Sequence, residues 1–299
     1  GEYKHFMLKE IFEQTQTIKL AADQSDEKIK NIAKIINEAK GVFFVGCGSS
    51  YNSCISSAYL FNNVAKMHVN AVLASEFGNY SDFMNEKTLV IAVSQSGETA
   101  DVIDAVKIAK KHGTKVVSIV NVMGSSLMRI SDDSLQMNCG PEICVLSTKS
   151  YTAQLAILLL LAYGAAGKLS EGKKIVEEAA KKAAQIIDSS DKKAHELAKK
   201  LKSNHDLFLI GRDLAYPSAL EGALKIKEVS YIHAEGFAGA ELKHGTIALI
   251  EEGVPVIRNV PLAWALLPLE VGDEIPEELF ETVAEVLTIV YDMKNNGGK

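Results

Sequence analysis

The sequence predicts an α/β protein made of tandem doubly wound parallel sheets, the second incomplete, with helical segments at the N-terminus and between the sheets. Three observations predict it. Short β-branched and aromatic runs alternate with longer amphipathic stretches, as strands buried on both faces alternate with their covering helices. Several of these runs end in a glycine or serine turn that leads directly into a helix. The strand, glycine, turn and helix start at Phe44-Val45-Gly46-Cys47-Gly48-Ser49-Ser50-Tyr51 return at Leu209-Ile210-Gly211-Arg212-Asp213-Leu214-Ala215-Tyr216, so one α/β unit is present in two copies.

Taken in order, residues 7–20 and 26–40 carry apolar side chains at helical spacing and form an opening helical segment, 1–40. Strand signals follow at 42–45, 69–73, 88–93, 115–119 and 134–137, and helices at 52–65, 100–111 and 148–166, which together make a first domain over 41–167. The Gly- and Lys-bearing stretch 167–174 reads as a break between domains. Two charged helices, 175–189 and 191–202, lead to the next strand at 207–211, within a second unit spanning 168–299. Roughly forty residues follow Ile257, among them a helix near 276–293, too few for a sheet as large as the first at ordinary strand and loop lengths.

Composition narrows the function. The 299 residues suffice for two domains, and 32 Lys plus Arg against 38 Asp plus Glu leave a net charge of -6, which argues against nucleic acid as a partner. Cys47, Cys54, Cys139 and Cys144 show neither a CxxC pair nor a zinc spacing, so free thiols in a reducing compartment are expected and no metal or cofactor is implied. The opening residues are polar, and the longest apolar run, 155–163, is too short to span a bilayer; a cytoplasmic location is expected. A chain that opens on Gly1 is expected to be an excised segment with a portion missing upstream.

The chemistry is expected at the carboxyl ends of the strands, where open α/β sheets hold their ligands. Three turns fall there: Gly46-Cys47-Gly48-Ser49-Ser50, Ser94-Gln95-Ser96-Gly97-Glu98-Thr99, and Cys144-Val145-Leu146-Ser147-Thr148. Each pairs small hydroxyl residues with a helix N-terminus, whose free N–H groups favour an anion, while Gly48 and Gly97 allow close backbone approach. Any one such hydroxyl is more often only a helix cap. Three hydroxyl turns on one edge favour a phosphate, and the absence of GxxxxGK[ST] argues for a monophosphate rather than a nucleotide triphosphate.

Ser94-Gln95-Ser96-Gly97-Glu98-Thr99 resembles the sugar-isomerase (SIS) signature. Together with Gly46-Cys47-Gly48-Ser49-Ser50, Ser147-Thr148-Lys149 and the opening 3–14, it resembles the isomerase half of the glutamine:fructose-6-phosphate amidotransferases over residues 1–257. The resemblance implies that Ser50, Ser94, Gln95, Ser96 and Thr99 grip the phosphate, that Val145 and Ser147 contact the sugar, and that Cys47, Gly48 and Ser49 complete the first turn. After Ile257 it ends: the family closes on an Ala-Lys-Ser segment whose lysine bonds the ketose, and no Ala-Lys-Ser occurs here.

In the second copy, Glu221, Lys225 and Glu228 lie four and three apart and share one helix face, followed by His233, Glu235, Glu241 and His244. Such a face is most often a solvated set of ion pairs, and His233 beside Ile232 reads as structural. Ketose–aldose interconversion needs a ring-opening acid/base and a base moving a proton between C1 and C2. The resemblance assigns proton transfer to Glu228, substrate positioning to Lys225, and ring opening to His244 reaching across from a second copy in a homodimer.

Fructose 6-phosphate, glucosamine 6-phosphate and glucose 6-phosphate are then the expected ligands, with nitrogen delivered by a glutaminase domain absent from this chain. A stand-alone amino-sugar-phosphate deaminase or isomerase, and a sugar-phosphate sensor without chemistry, are the competing functions. The acid–base set argues against the sensor, and the opening 3–14, which is similar to the stretch that links the glutaminase and isomerase domains in that family, argues for the synthase type.

Overall fold

A computed structural model describes residues 3–251, 253 and 256–258. In chain order the elements are α1 (Phe6–Ala22), α2 (Asp26–Glu38), β1 (Gly41–Gly46), α3 (Ser49–Leu60), β2 (Asn70–Leu73), β3 (Thr88–Ser94), α4 (Ala100–Lys111), β4 (Lys115–Val120), α5 (Ser126–Ile130), β5 (Asp133–Gln136), α6 (Lys149–Ala165), α7 (Leu169–Leu201), β6 (Asp206–Gly211), α8 (Ala215–Ser230), β7 (His233–Ala238), α9 (Ile247–Glu251) and β8 (Val256–Arg258). The expected helix near 276–293 lies outside the described residues.

The first sheet runs β2-β1-β3-β4-β5 with every pairing parallel. Alternation along its strands divides the core in two. Val42 and Phe44, Leu89 and Ile91, and Val117 and Ile119 face α1, α2, α6 and α7, whereas Phe43, Val45, Val90 and Val116 face α4, α5 and the 3-10 segment Ala74–Phe83. Phe44 packs against Phe61 with the rings tilted and their centroids 5.3 Å apart, and Phe43 meets Phe77 edge-on. The apolar run noted in the sequence is α6, buried from Lys149 through Ala162. A helix apolar on all sides belongs in the middle of the protein, and α1, α2, α3 and α7 surround it.

The second sheet, β7-β6-β8 among the described residues, is also parallel and has a smaller core of Leu207, Leu209, Ala219, Ala223 and Ala234. The repeat read from the sequence has a physical counterpart. A Cβ on Gly46 would sit 2.8 Å from the backbone of Ser50, and one on Gly211 would strike the carbonyl of Ala215. Both glycines let a helix start pack directly onto the end of its strand. Helix α3 then packs against α8, joining the two units.

Local structure departs from expectation in three places. The break expected at 167–174 is narrower: Gly167 turns the chain with φ 74° and α7 begins at Leu169, with Gly172 leaving room for the Tyr163 ring. The two charged helices are one helix of 33 residues, because the serines at 189 and 190 cost a helix only tenths of a kcal/mol each, roughly 0.5 at most. Similarly, the helix expected at 52–65 starts earlier, at Ser49, and ends in a π turn, Phe61–Ala65, closed by Lys66 in the left-handed region.

Candidate active site

At the carboxyl edge of the first sheet lies a cavity of about 230 Å³ lined by Cys47, Ser49, Ser50, Val93, Ser94, Gln95, Ser96, Thr99, Val145, Ser147, Lys225 and Glu228. Strands β1 and β3 deliver the first two turns, and the segment before α6 delivers Val145 and Ser147. Helix α8 of the second unit closes the cavity with Lys225 and Glu228. The hydroxyls are not spent as helix caps: neither Thr99 nor Thr148, at the N-caps of α4 and α6, makes a side-chain capping bond.

Hydrogen bonds hold the hydroxyls in place. Ser94 Oγ accepts the Gly97 N–H at 3.1 Å and pairs with Thr99 Oγ1 at 3.0 Å, and Ser96 Oγ accepts the Glu98 N–H at 3.1 Å. Glu98 accepts the Ser126 N–H at 2.7 Å, and that bond holds its carboxyl below the usual range. Beneath the cavity the buried Gln154 donates from Nε2 to Ser50 Oγ at 3.0 Å, which leaves the Ser50 proton free to point at a ligand. Ser147 pairs with Ser150 at 2.6 Å. Burial, reinforced by the Asp101 carboxylate, pushes the Cys47 thiol above its ordinary value.

The titratable cluster spans both units. Lys225 Nζ lies 2.7 Å from Glu228 Oε2, 3.4 Å from Glu221 Oε1 and 2.9 Å from Ser49 Oγ. Glu221 is buried on α8 and accepts from Ser49 Oγ at 2.7 Å and from Asn52 Nδ2 at 2.8 Å, both on α3. Burial, together with the nearby Glu221 carboxylate, raises the pKa of Tyr151. Two carboxylates and a hydroxyl hold the Lys225 ammonium in position, and the Glu228 carboxylate beside it lines the cavity.

Eleven of the expected site residues therefore meet: Cys47, Ser49, Ser50, Ser94, Gln95, Ser96, Thr99, Val145, Ser147, Lys225 and Glu228. Two do not. Gly48 is the N-cap of α3 at φ 54°, with open space where a side chain would stand, and lies between the lining residues Cys47 and Ser49 without lining the cavity itself. His244 is exposed after the short 3-10 turn Glu241–Lys243 and stands outside this chain's cavity. At Gly97 the place of a side chain is filled by Ser125, and a φ of 66° also favours glycine there. The sequence reading passed over Asn52, Glu142 and Gln154 and gave Glu221 no place in the site. Gln154 carried a signal, being a lone amide within the otherwise apolar face of α6.

A parallel sheet with hydroxyl turns at its carboxyl edge, faced by a titratable helix from a second such sheet, defines an open α/β protein with a ligand site at its strand ends. The chain belongs to the SIS domain family, whose model matches residues 35–163 and 200–258. A second model, of the FlhB HrpN YscU SpaS family, matches 246–290, mostly outside the described residues. The chain is 44% identical over 265 residues to a glutamine–fructose-6-phosphate aminotransferase [isomerizing] of Pyrococcus horikoshii, and 46% identical over 267 residues to that of Thermococcus kodakarensis. Each match covers 87% of this chain and 44% of the relative, so the chain spans under half the length of these relatives. Among solved structures, the C-terminal domain of glucosamine-fructose-6-phosphate aminotransferase from Francisella tularensis matches with TM-score 0.78 and 31% identity, over 95% of this chain and 81% of that one. A glucosamine-6-phosphate deaminase from Thermotoga maritima matches with TM-score 0.72 and 26% identity, over 94% and 82%.

Proposed function

We propose that this chain is the sugar-isomerising half of a glucosamine-6-phosphate synthase, binding fructose 6-phosphate and moving a proton between its C1 and C2. The observation that carries the reading is the Lys225–Glu228 pair, 2.7 Å apart, facing the hydroxyls of Ser50, Ser94, Ser96 and Thr99 across one small cavity. In this reading the hydroxyls and the N-termini of α3 and α4 take the phosphate. Val145 and Ser147 meet the sugar. Glu228 removes the C1 proton of the open-chain ketose and returns it at C2 through an enediol, while Lys225 holds the carboxylate and the substrate oxygen in place. With ammonia condensed at C2, the same transfer yields glucosamine 6-phosphate. Upstream delivery of that ammonia by a glutaminase domain belongs to the reading, as do a cytoplasmic location and a division into 1–40, 41–167 and 168–299.

A homodimer is part of the proposal. His244 is exposed and away from this chain's cavity, as a group serving a neighbouring copy's site must be. The test is direct: incubate the chain with fructose 6-phosphate and assay glucose 6-phosphate, then add ammonium and assay glucosamine 6-phosphate. Glu228→Gln should keep binding and lose turnover; wild-type turnover in that variant removes Glu228 from the mechanism. The likeness to the Thermotoga maritima deaminase supports a second reading, a stand-alone deaminase, which release of ammonia from glucosamine 6-phosphate would favour. Thermal stabilisation by fructose 6-phosphate without any turnover would instead mark a sensor.

A further inference from the structure

The segment that carries Val145 and Ser147 is held by carboxylates, two of them on a helix outside the cavity. Glu10 on α1 is only 2% exposed, and its Oε1 accepts the N–H groups of Ile143 at 2.6 Å and Cys144 at 3.2 Å. Its other oxygen is buried without a hydrogen-bond partner among the described residues. One turn further along α1, Glu13 receives Lys149 Nζ at 2.7 Å, and that lysine side chain is only 4% exposed. Glu142 accepts the N–H groups of Thr148 at 2.8 Å and Ser150 at 3.2 Å, together with the Ser150 hydroxyl.

The segment's own side chains do little to fix it. Ile143 is 60% exposed and Val145 93% exposed; only Leu146 is buried. A carboxylate with one oxygen unpaired is costly to bury, and apolar packing of the same volume would be cheaper. The cost is offset where Glu10 gives the backbone N–H groups of Ile143 and Cys144 an acceptor.

We infer that Glu10 is a positioning residue for the sugar half of the site: it pins residues 143 and 144 so that Val145 and Ser147 face the cavity. This rests on the sugar-phosphate reading above. The phosphate turn 94–99 is built from β3 and α4 and does not use Glu10. Loss of Glu10 therefore separates sugar recognition from phosphate recognition.

The test compares binding of fructose 6-phosphate and of inorganic phosphate to the wild-type chain, Glu10→Ala and Glu10→Gln. Alanine should weaken fructose 6-phosphate about tenfold and leave inorganic phosphate within about twofold, and glutamine, which keeps an acceptor oxygen, should recover most of the loss. Unchanged fructose 6-phosphate affinity, or equal losses for both ligands, overturns the inference. Glu10→Asp, whose carboxylate is one methylene short, carries the same comparison if alanine prevents folding. Amide hydrogen exchange without ligand gives an arm independent of function: Ile143 and Cys144 should exchange faster in the variants while Gly97 and Glu98 do not. Unaltered exchange at 143 and 144 overturns the inference, whereas a wild-type chain that binds no fructose 6-phosphate overturns only the functional reading.

Discussion

Ser49 and Glu221 are 172 positions apart in the chain, and a 2.7 Å hydrogen bond joins them. The serine opens α3 of the first unit and the glutamate lies buried on α8 of the second, so this bond, with the Asn52 bond beside it, crosses the boundary between the two sheets. The same glutamate also orients Lys225.

Replacing Glu221 by alanine leaves Asn52 without its acceptor and Lys225 with one carboxylate fewer. Breaking a buried charged network of this kind costs about 3 kcal/mol. The expected outcome is a Tm lower by about 6 °C or more in thermal denaturation. A Tm within a degree of wild type would show that the contact contributes nothing to joining the units.

Ser96→Ala removes one hydroxyl from the proposed phosphate cradle and touches no packed core. Fructose 6-phosphate should bind about tenfold more weakly by calorimetry, the loss of one hydrogen bond to a charged group. Undiminished affinity would exclude this turn from the phosphate site.

Cys47 lines the cavity, and burial together with Asp101 holds its thiol above the ordinary value of 9.0. The thiolate, not the thiol, reacts with iodoacetamide. Peptide mapping by mass spectrometry should show slow alkylation of Cys47 at neutral pH, accelerating beyond pH 9, and slowed by fructose 6-phosphate at any pH. Fast modification at pH 7 would contradict the environment described here.

Acid should weaken the fold through two carboxylates. Burial opposes the charge on Glu13, yet Lys149 and Lys9 bring its pKa below its ordinary 4.5; Asp132, likewise opposed by burial, is brought below 3.8 by Lys110 and the Val116 N–H. Groups whose pKa is depressed on folding stabilise above their unfolded value, and that stability is lost as pH falls through the folded one. Tm should be level above about pH 5 and decline below it, and Glu13→Gln with Asp132→Asn should flatten the decline. An equal slope in the double variant would rule these groups out.

What the sequence made legible was periodic or repeated. Strands β1, β3 and β4 announced themselves as apolar runs, and the hydroxyl turns followed from where those strands had to end. The long helix α7 was misread because two adjacent serines look like a stop, although neither forces one. Glu142, Asn52 and Gln154 were invisible for a different reason. Their partners lie across a turn or in another element, and an isolated carboxylate or amide carries no spacing by which to recognise it.

Gly46 and Gly211 impose the same steric rule on both halves, yet only the first half follows its glycine with hydroxyls; the second places Arg212, Asp213 and Leu214 there. The duplicated elbow thus sets the backbone in both units and leaves the side chains of the turn free to differ. The first unit lines the cavity with the turn that follows its glycine, and the second reaches the same cavity with Lys225 and Glu228 from α8. A methyl group added at either elbow would show which half the assembly can less afford to bend.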